Sequence, residues 1–457
     1  MPPRRAPDLT GRLLVVLTPQ AVHEIAHQAA APHATDLSDL SQLEGPLFSG
    51  IQLLLGRYQA TATRGVRSLT IPQILKLDAD AAEGPFRPAR SLLAYWIVSP
   101  GPGIALHGVV AAFRATPGVL AAVEQEAVGR PPCAWTNNQY AAQQFHLDPA
   151  PTGIDAKSAW QRGAKGRGIA FTDVEMGWNR NHEDLTAKTR KPLLTHKNDP
   201  TWEDHGTSAL GLVVATDNST GVVGIAPGVT KVRLASHWDG TSAENVADAI
   251  ATSAANMDAG DVMLLETQRS DEAPIELLDG EFELDAICAA TSKGITVIEP
   301  AGNGGFTLDR DFPAGRRDSG AIVVGASVGD PPAKGLSGGA HARLGKSNYG
   351  TRVDCFAPGA GLVTAGGGDL DASGDPNRSY TSAFRDTSGA SAVVAGAAIL
   401  AQHLHVKAKQ ARVDAAGMRS LLVRTGRARA PQDGPIGVMP DLAQVAAELF
   451  SPAGRPA

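Results

Sequence analysis

An aspartate, a histidine and a serine stand at positions 173, 205 and 388, and those three residue types in that order can build a hydrolytic relay. A serine hydroxyl is a poor nucleophile at neutral pH. An imidazole beside it can take its proton during attack and later return one to a leaving group, while a carboxylate holds the imidazole in the useful tautomer. The stretch "GIAFTDVEMGWNRNHEDL" reads as a strand that ends at Asp173, "DHGTSALGLVV" opens a small-residue helix with His205, and "TSGASAVVAGAAIL" opens another with Ser388. Asn303 in "EPAGNGG" sits among glycines, where a side-chain amide can point into a cleft. Taken singly, each has an ordinary structural explanation: a turn Asp or Asn, a satisfied His, a small residue in a tightly packed helix. The combination is what makes a catalytic reading specific.

The elements that must hold these residues read as alternating strands and helices after about residue 145. "GRGIAFTDVE", "TKVRLAS", "GDVMLLETQ", "GITVIEPAGN" and "GAIVVGASV" are apolar runs of strand length, and helical stretches such as "AENVADAIATSAANMDA" separate several of them. That rhythm predicts a doubly wound, mostly parallel sheet covered by helices, with functional groups at the carboxyl ends of its strands.

Five ordered stretches, the Asp173 strand, "HGT" followed by "GVVGIAPG", "AGNGG", "SNYGTRVDCFAPG" and "TSGAS", resemble the motifs of the subtilisin-like serine peptidases from about Gly153 to about Gln402. The resemblance implies an α/β subtilisin-like fold and endopeptidase activity through an acyl-enzyme on protein or peptide substrates. Asp173, His205 and Ser388 would form the triad, and Asn303 with the Ser388 backbone N–H would hold the oxyanion. Ser391 then belongs to packing. The chain departs from the family at Asp386, Gly389 and Ala392 around the serine. It also has Glu266, Thr267 and Gln268 where the family usually has Ser-Leu-Gly lining the primary pocket, and Glu299 replaces a small residue before "PAGN". Glu266, Glu299 and Gly302 are thus expected at the substrate, the two carboxylates favouring Lys or Arg on the acyl side. No cofactor is required, but the resemblance implies a structural calcium held by Asp184 and Asn218. The alternative is a peptidase-like binding or scaffold protein with little turnover.

The 457 residues are too many for one ordinary domain. Residues 1–130 read as an α+β module resembling a subtilisin propeptide, 131–152 as a linker and 153–457 as the catalytic domain. The module is expected to act as an intramolecular inhibitor, making the chain a zymogen. A net charge of -6 gives no footprint for nucleic acid, and no apolar run reaches the roughly 20 residues of a membrane span. The N-terminal stretch lacks a Sec-type pattern, so a cytoplasmic location, or export without a recognisable Sec signal, is expected. Three widely spaced cysteines, Cys133, Cys288 and Cys355, suggest neither a disulfide framework nor a zinc ribbon.

Overall fold

A computed structural model describes residues 9–30, 37–126, 128–129, 140–218, 220–238, 243–278, 280–310, 317–330, 339–371, 373–429 and 434–451. The N-terminal part runs β1 (Leu9–Leu17), α1 (Pro19–Ala29), α2 (Pro46–Arg57), β2 (Thr61–Arg64), α3 (Ile71–Ala82), β3 (Tyr95–Ser99), α4 (Leu106–Arg114) and β4 (Val119–Glu126). Its strands form an antiparallel sheet in the order β2-β3-β1-β4. The apolar run "LLVVL" of β1 is buried at every residue, so it takes the centre of the sheet. Thr18 caps α1 by accepting from the Ala21 N–H, and Pro19 fits the first turn because it has no N–H to satisfy.

A two-residue strand, β5 (Val128–Gly129), follows. The rest runs α5 (Ala156–Gln161), β6 (Ala170–Glu175), α6 (Thr186–Thr189), α7 (Glu203–Val214), β7 (Lys231–Ser236), α8 (Val246–Ala255), β8 (Val262–Leu265), β9 (Gln268–Arg269), α9 (Phe282–Ser292), β10 (Thr296–Pro300) and β11 (Ile322–Ser327). It ends with β12 (Cys355–Pro358), β13 (Leu362–Ala365), β14 (Tyr380–Phe384), α10 (Asp386–Lys409), α11 (Ala415–Thr425), β15 (Arg427–Ala428), β16 (Val438–Met439) and α12 (Leu442–Phe450). The main sheet has the order β15-β16-β12-β11-β10-β8-β6-β7 and is parallel except for the β15–β16 pair. The five apolar runs singled out in the sequence are β6, β7, β8, β10 and β11. β6, β8, β10 and β11 are buried at every residue, as a sheet covered on both faces demands, while the edge strand β7 is open at Lys231.

α10 is the long core helix, buried without interruption from Asp386 to Gln402. Its small residues let it sit close: a Cβ on Gly396 would meet Ile225 Cβ at 2.6 Å. By length and composition it is the one described helix able to cross a membrane, longer than any run the sequence reading had found, and here it is core.

One expectation about the N-terminal half changes. Residues 140–152 are not free linker: Leu147 is in the core, and the Gln144 amide bonds Val223 N–H and the carbonyls of Val223 and Val363. Residues 131–139, with Cys133, lie outside the described residues; Cys288 and Cys355 are buried free thiols. The N-terminal sheet and helices share one apolar cluster with α8 and α9. Tyr95 stacks on Phe282 with ring centroids 4.5 Å apart and donates its hydroxyl to Asp285, and the backbone and hydroxyl of Ser68 donate to Asp248 at 3.0 and 2.7 Å. Gly65 makes this closeness possible, because a Cβ there would lie 2.5 Å from Phe282 Cζ.

Candidate active site

β6 delivers two carboxyls. Asp173 and Glu175 are two residues apart, so both project from the same face of the strand. Glu175 is the last strand residue, at the carboxyl end of the sheet; Asp173 lies one side-chain level deeper. It is Glu175 that meets the histidine: His205 Nδ1 is hydrogen-bonded to Glu175 Oε2, and Oε1 accepts from the Met176 N–H at 2.7 Å. Asp173 instead accepts from Trp178 Nε1 at 2.8 Å, and its other oxygen has no partner among the described residues. Burial, reinforced by the neighbouring Glu175 charge, holds Asp173 well above the usual carboxylate range against the Trp178 bond. The expectation that Asp173 pairs with His205 is therefore corrected to Glu175.

α7 carries His205 on its first turn. Gly206 lets the helix close on the β6 loop, since a Cβ there would lie 2.3 Å from Gly177 O and 2.7 Å from Glu175 Cγ. Phe384, at the end of β14, meets the imidazole edge to face at 5.4 Å.

Ser388 is the third residue of α10, in the first turn, where backbone N–H groups have no partner within the helix. Asn303 follows β10, and its Oδ1 accepts from both the N–H and the hydroxyl of Thr387, at 3.0 and 2.9 Å. Its Nδ2 donates one proton to Gln268 Oε1 at 3.0 Å, and an amide nitrogen carries a second. Ser388 and Asn303 share a small cavity with Glu266, Thr267, Gln268 and Pro300. A wider cleft beside Arg424, Gln444 and Glu448 shares no residue with it.

Glu266 lies near both the serine and the histidine. Its Oε1 accepts from Ser391 Oγ at 2.9 Å, and it has a carboxylate oxygen within 4.8 Å of ligating atoms of both His205 and Glu175. Burial first, then the charges of Glu175 and Asp173, push Glu266 well up, while the hydroxyls of Ser391 and Ser388 act in the opposite direction. Glu299 does not reach the cavity: it accepts from the Glu276 N–H at 3.1 Å, and its burial beside Glu276 raises it too. Gly302 is likewise not in the lining of that cavity; it makes the Asn303 turn, at φ 88°, where a Cβ would fall 2.1 Å from Glu272 O. Asn348, in the "SNYGTRVDCFAPG" stretch, braces that turn from behind, its Nδ2 donating to Ala301 O and Glu272 O at 2.8 and 2.6 Å.

The two expected metal ligands meet each other. Asn218 Nδ2 and the Val222 N–H each donate to one Asp184 oxygen at 2.9 Å. Calcium takes roughly six to eight converging oxygens; here both carboxylate oxygens serve N–H donors, and burial raises Asp184 to about 6. The residues do not fit the ion, and hydrogen bonds close the loop in its place.

The sequence profile of the subtilase family, peptidase S8, matches residues 151–438. This chain belongs to the subtilase family. Among its relatives, the thermophilic serine proteinase of Bacillus sp. (strain AK1) is 31% identical over 238 residues, 50% of this chain and 53% of that protein. Alkaline elastase YaB of Bacillus sp. (strain YaB) is 29% identical over 57% of this chain and 61% of its own length. The matched part thus spans little more than half of these subtilases. Fervidolysin from Fervidobacterium pennivorans, described as a keratinolytic enzyme related to subtilisin, shares the fold with a TM-score of 0.62 at 18% identity, covering 97% of this chain and 62% of that one.

Sequence reasoning missed Glu175, although a signal was present. In a parallel sheet the functional group belongs at the strand's carboxyl end, and Glu175, not Asp173, is the strand's last residue.

Proposed function

We propose that the chain is a serine endopeptidase in which Ser388 is the nucleophile, His205 the general base, Glu175 the orienting carboxylate and Asn303 an oxyanion donor. The observation that carries this reading is the Glu175–His205 hydrogen bond at the strand ends beside the cavity shared by Ser388 and Asn303. With Nδ1–H committed to Glu175, His205 presents Nε2 as the base. As Ser388 Oγ attacks the peptide carbonyl, its proton passes to Nε2, and the carbonyl oxygen takes up negative charge. The second Nδ2 proton of Asn303 and the Ser388 N–H are suited to receive it; one such donor is worth about 3 to 4 kcal/mol in the family, a figure established on subtilisin itself. Collapse expels the amine with the proton held by His205, and water then hydrolyses the acyl-enzyme by the same relay.

The N-terminal part is proposed as a tethered inhibitor. β5 pairs antiparallel with β9, Val128 opposite Arg269 and Gly129 opposite Gln268, next to the nucleophile. Extended peptides bind proteases by such strand addition.

Labelling with a fluorophosphonate, together with peptide hydrolysis, tests the assignment. Ser388→Ala should lose both, and Ser391→Ala should keep most of its activity. Turnover by Ser388→Ala would overturn the reading, and a folded wild type that neither labels nor cleaves would favour the scaffold alternative.

A further inference from the structure

The space beside the nucleophile is almost filled. The cavity that Ser388 and Asn303 share with Glu266, Thr267, Gln268 and Pro300 has a volume of about 10 Å³, room for roughly one water. Most of its walls are fixed. Asn303 is held by Thr387 from two sides, Glu266 by Ser391, and Pro300 belongs to the buried strand β10. The wall most able to yield is Gln268, whose side chain is long and unbranched. It is 5% exposed, and its amide oxygen is anchored on Asn303 Nδ2.

The backbone of the same residue forms the edge on which an extended chain lies, since Gly129 pairs with Gln268. A peptide seated on that edge and reaching Ser388 must place the side chain preceding the scissile bond against this cavity.

We propose that Gln268 sets the primary specificity by filling the subsite beside Ser388, so that the residue on the acyl side of the cleaved bond must be glycine or alanine. The inference rests on the reading of Ser388 as nucleophile. Gln268 acts in two ways: it excludes bulk, and it positions the Asn303 amide so that the remaining proton faces the developing oxyanion. A basic residue fares no better than a bulky apolar one. Glu266 gives one oxygen to Ser391, and its burial beside Glu175 and Asp173 favours the neutral form, which offers no ion pair; Glu299 is on another network, and a lysine stem meets the same closed wall.

The test uses the full chain, left to process itself, and peptides that differ only at the residue preceding the cleaved bond: Gly, Ala, Leu, Phe and Lys. Wild type, Gln268→Gly and Gln268→Ala are compared as ratios of kcat/KM within each variant, so that partial loss of folded enzyme cancels. Wild type should favour Ala over Phe by about tenfold or more, and Gln268→Gly should raise the Phe-to-Ala ratio by at least about tenfold, with Gln268→Ala intermediate. On the Ala peptide, Gln268→Gly should lose a few-fold in kcat with little change in KM, the mark of lost oxyanion positioning. A wild type that prefers Leu, Phe or Lys, or ratios unchanged in both variants, overturns the proposal while leaving Ser388 in place. Hydrolysis that persists in Ser388→Ala overturns the underlying reading as well.

Discussion

Glu175 has one methylene more than aspartate, and in this site that length spans the gap from β6 to the imidazole. Replacing it with glutamine keeps the size but removes the charge and permits the wrong imidazole tautomer. Glu175→Gln should therefore lower kcat/KM by about 10⁴-fold, whereas Asp173→Asn, which keeps the Trp178 contact and acts on a carboxyl already favouring its protonated form, should cost less than about tenfold. Steady-state kinetics on a single peptide checks both; equal losses would return the role to Asp173. Asp386 offers a stability test. It adopts φ 65°, a conformation natural to glycine, and leaves a buried carboxylate oxygen without a partner among the described residues. Asp386→Gly should stabilise the protein by about 1 kcal/mol, read as a higher urea midpoint. At this scale the placement of Ser388, His205 and Asn303 was legible, because each sits in a short motif at an element's start or end. The sequence misled at Asp173, because strand residues two apart share a face and the choice between them depends on where the helix α7 sets the histidine.

The helices α8 and α9 act as a platform on which the N-terminal sheet is laid, and Gly65 sets how closely the two surfaces approach. A β-branched side chain there has nowhere to go: Gly65→Val must displace Phe282 from its stack on Tyr95. The expected cost is about 1–3 kcal/mol, measured by urea unfolding of the Ser388→Ala chain so that self-cleavage does not intrude. No change would mean that the interface is softer than its geometry implies. The strands β6, β8, β10 and β11 could be read in advance because burial on both faces makes them continuous apolar runs. The short strands β5, β9, β15 and β16, two residues each, are too short to carry a period and exist only because neighbours supply their pairing. The stretch 140–152 reads as linker by its prolines, yet it packs because Leu147 and the Gln144 amide each find a specific tertiary partner.

Across the whole molecule, buried titratable groups make stability depend on pH from both sides. Burial raises Glu283 to about 7, so the folded state favours its neutral form. That contribution is complete below about pH 4.5 and is lost as pH rises toward 7. Burial lowers His146 to about 3, so its contribution is present above about pH 6.5 and drains away as pH falls. Glu283→Gln should remove the alkaline loss and stabilise the protein at pH 8 by about 3 kcal/mol, with little gain at pH 4. Urea midpoints of the Ser388→Ala chain at the two pH values decide it. One more property belongs to the molecule as a whole. The pairing of β5 with β9 joins two parts of one chain, so while the chain is whole its occupancy is a first-order equilibrium, indifferent to how much protein is present. Once the connection between Gly129 and Tyr140 is cut, the same pairing becomes second order and weakens on dilution. Specific activity of the cut enzyme should then climb as a stock is diluted a thousandfold, whereas that of the whole chain, dosed at the start of the assay, should not.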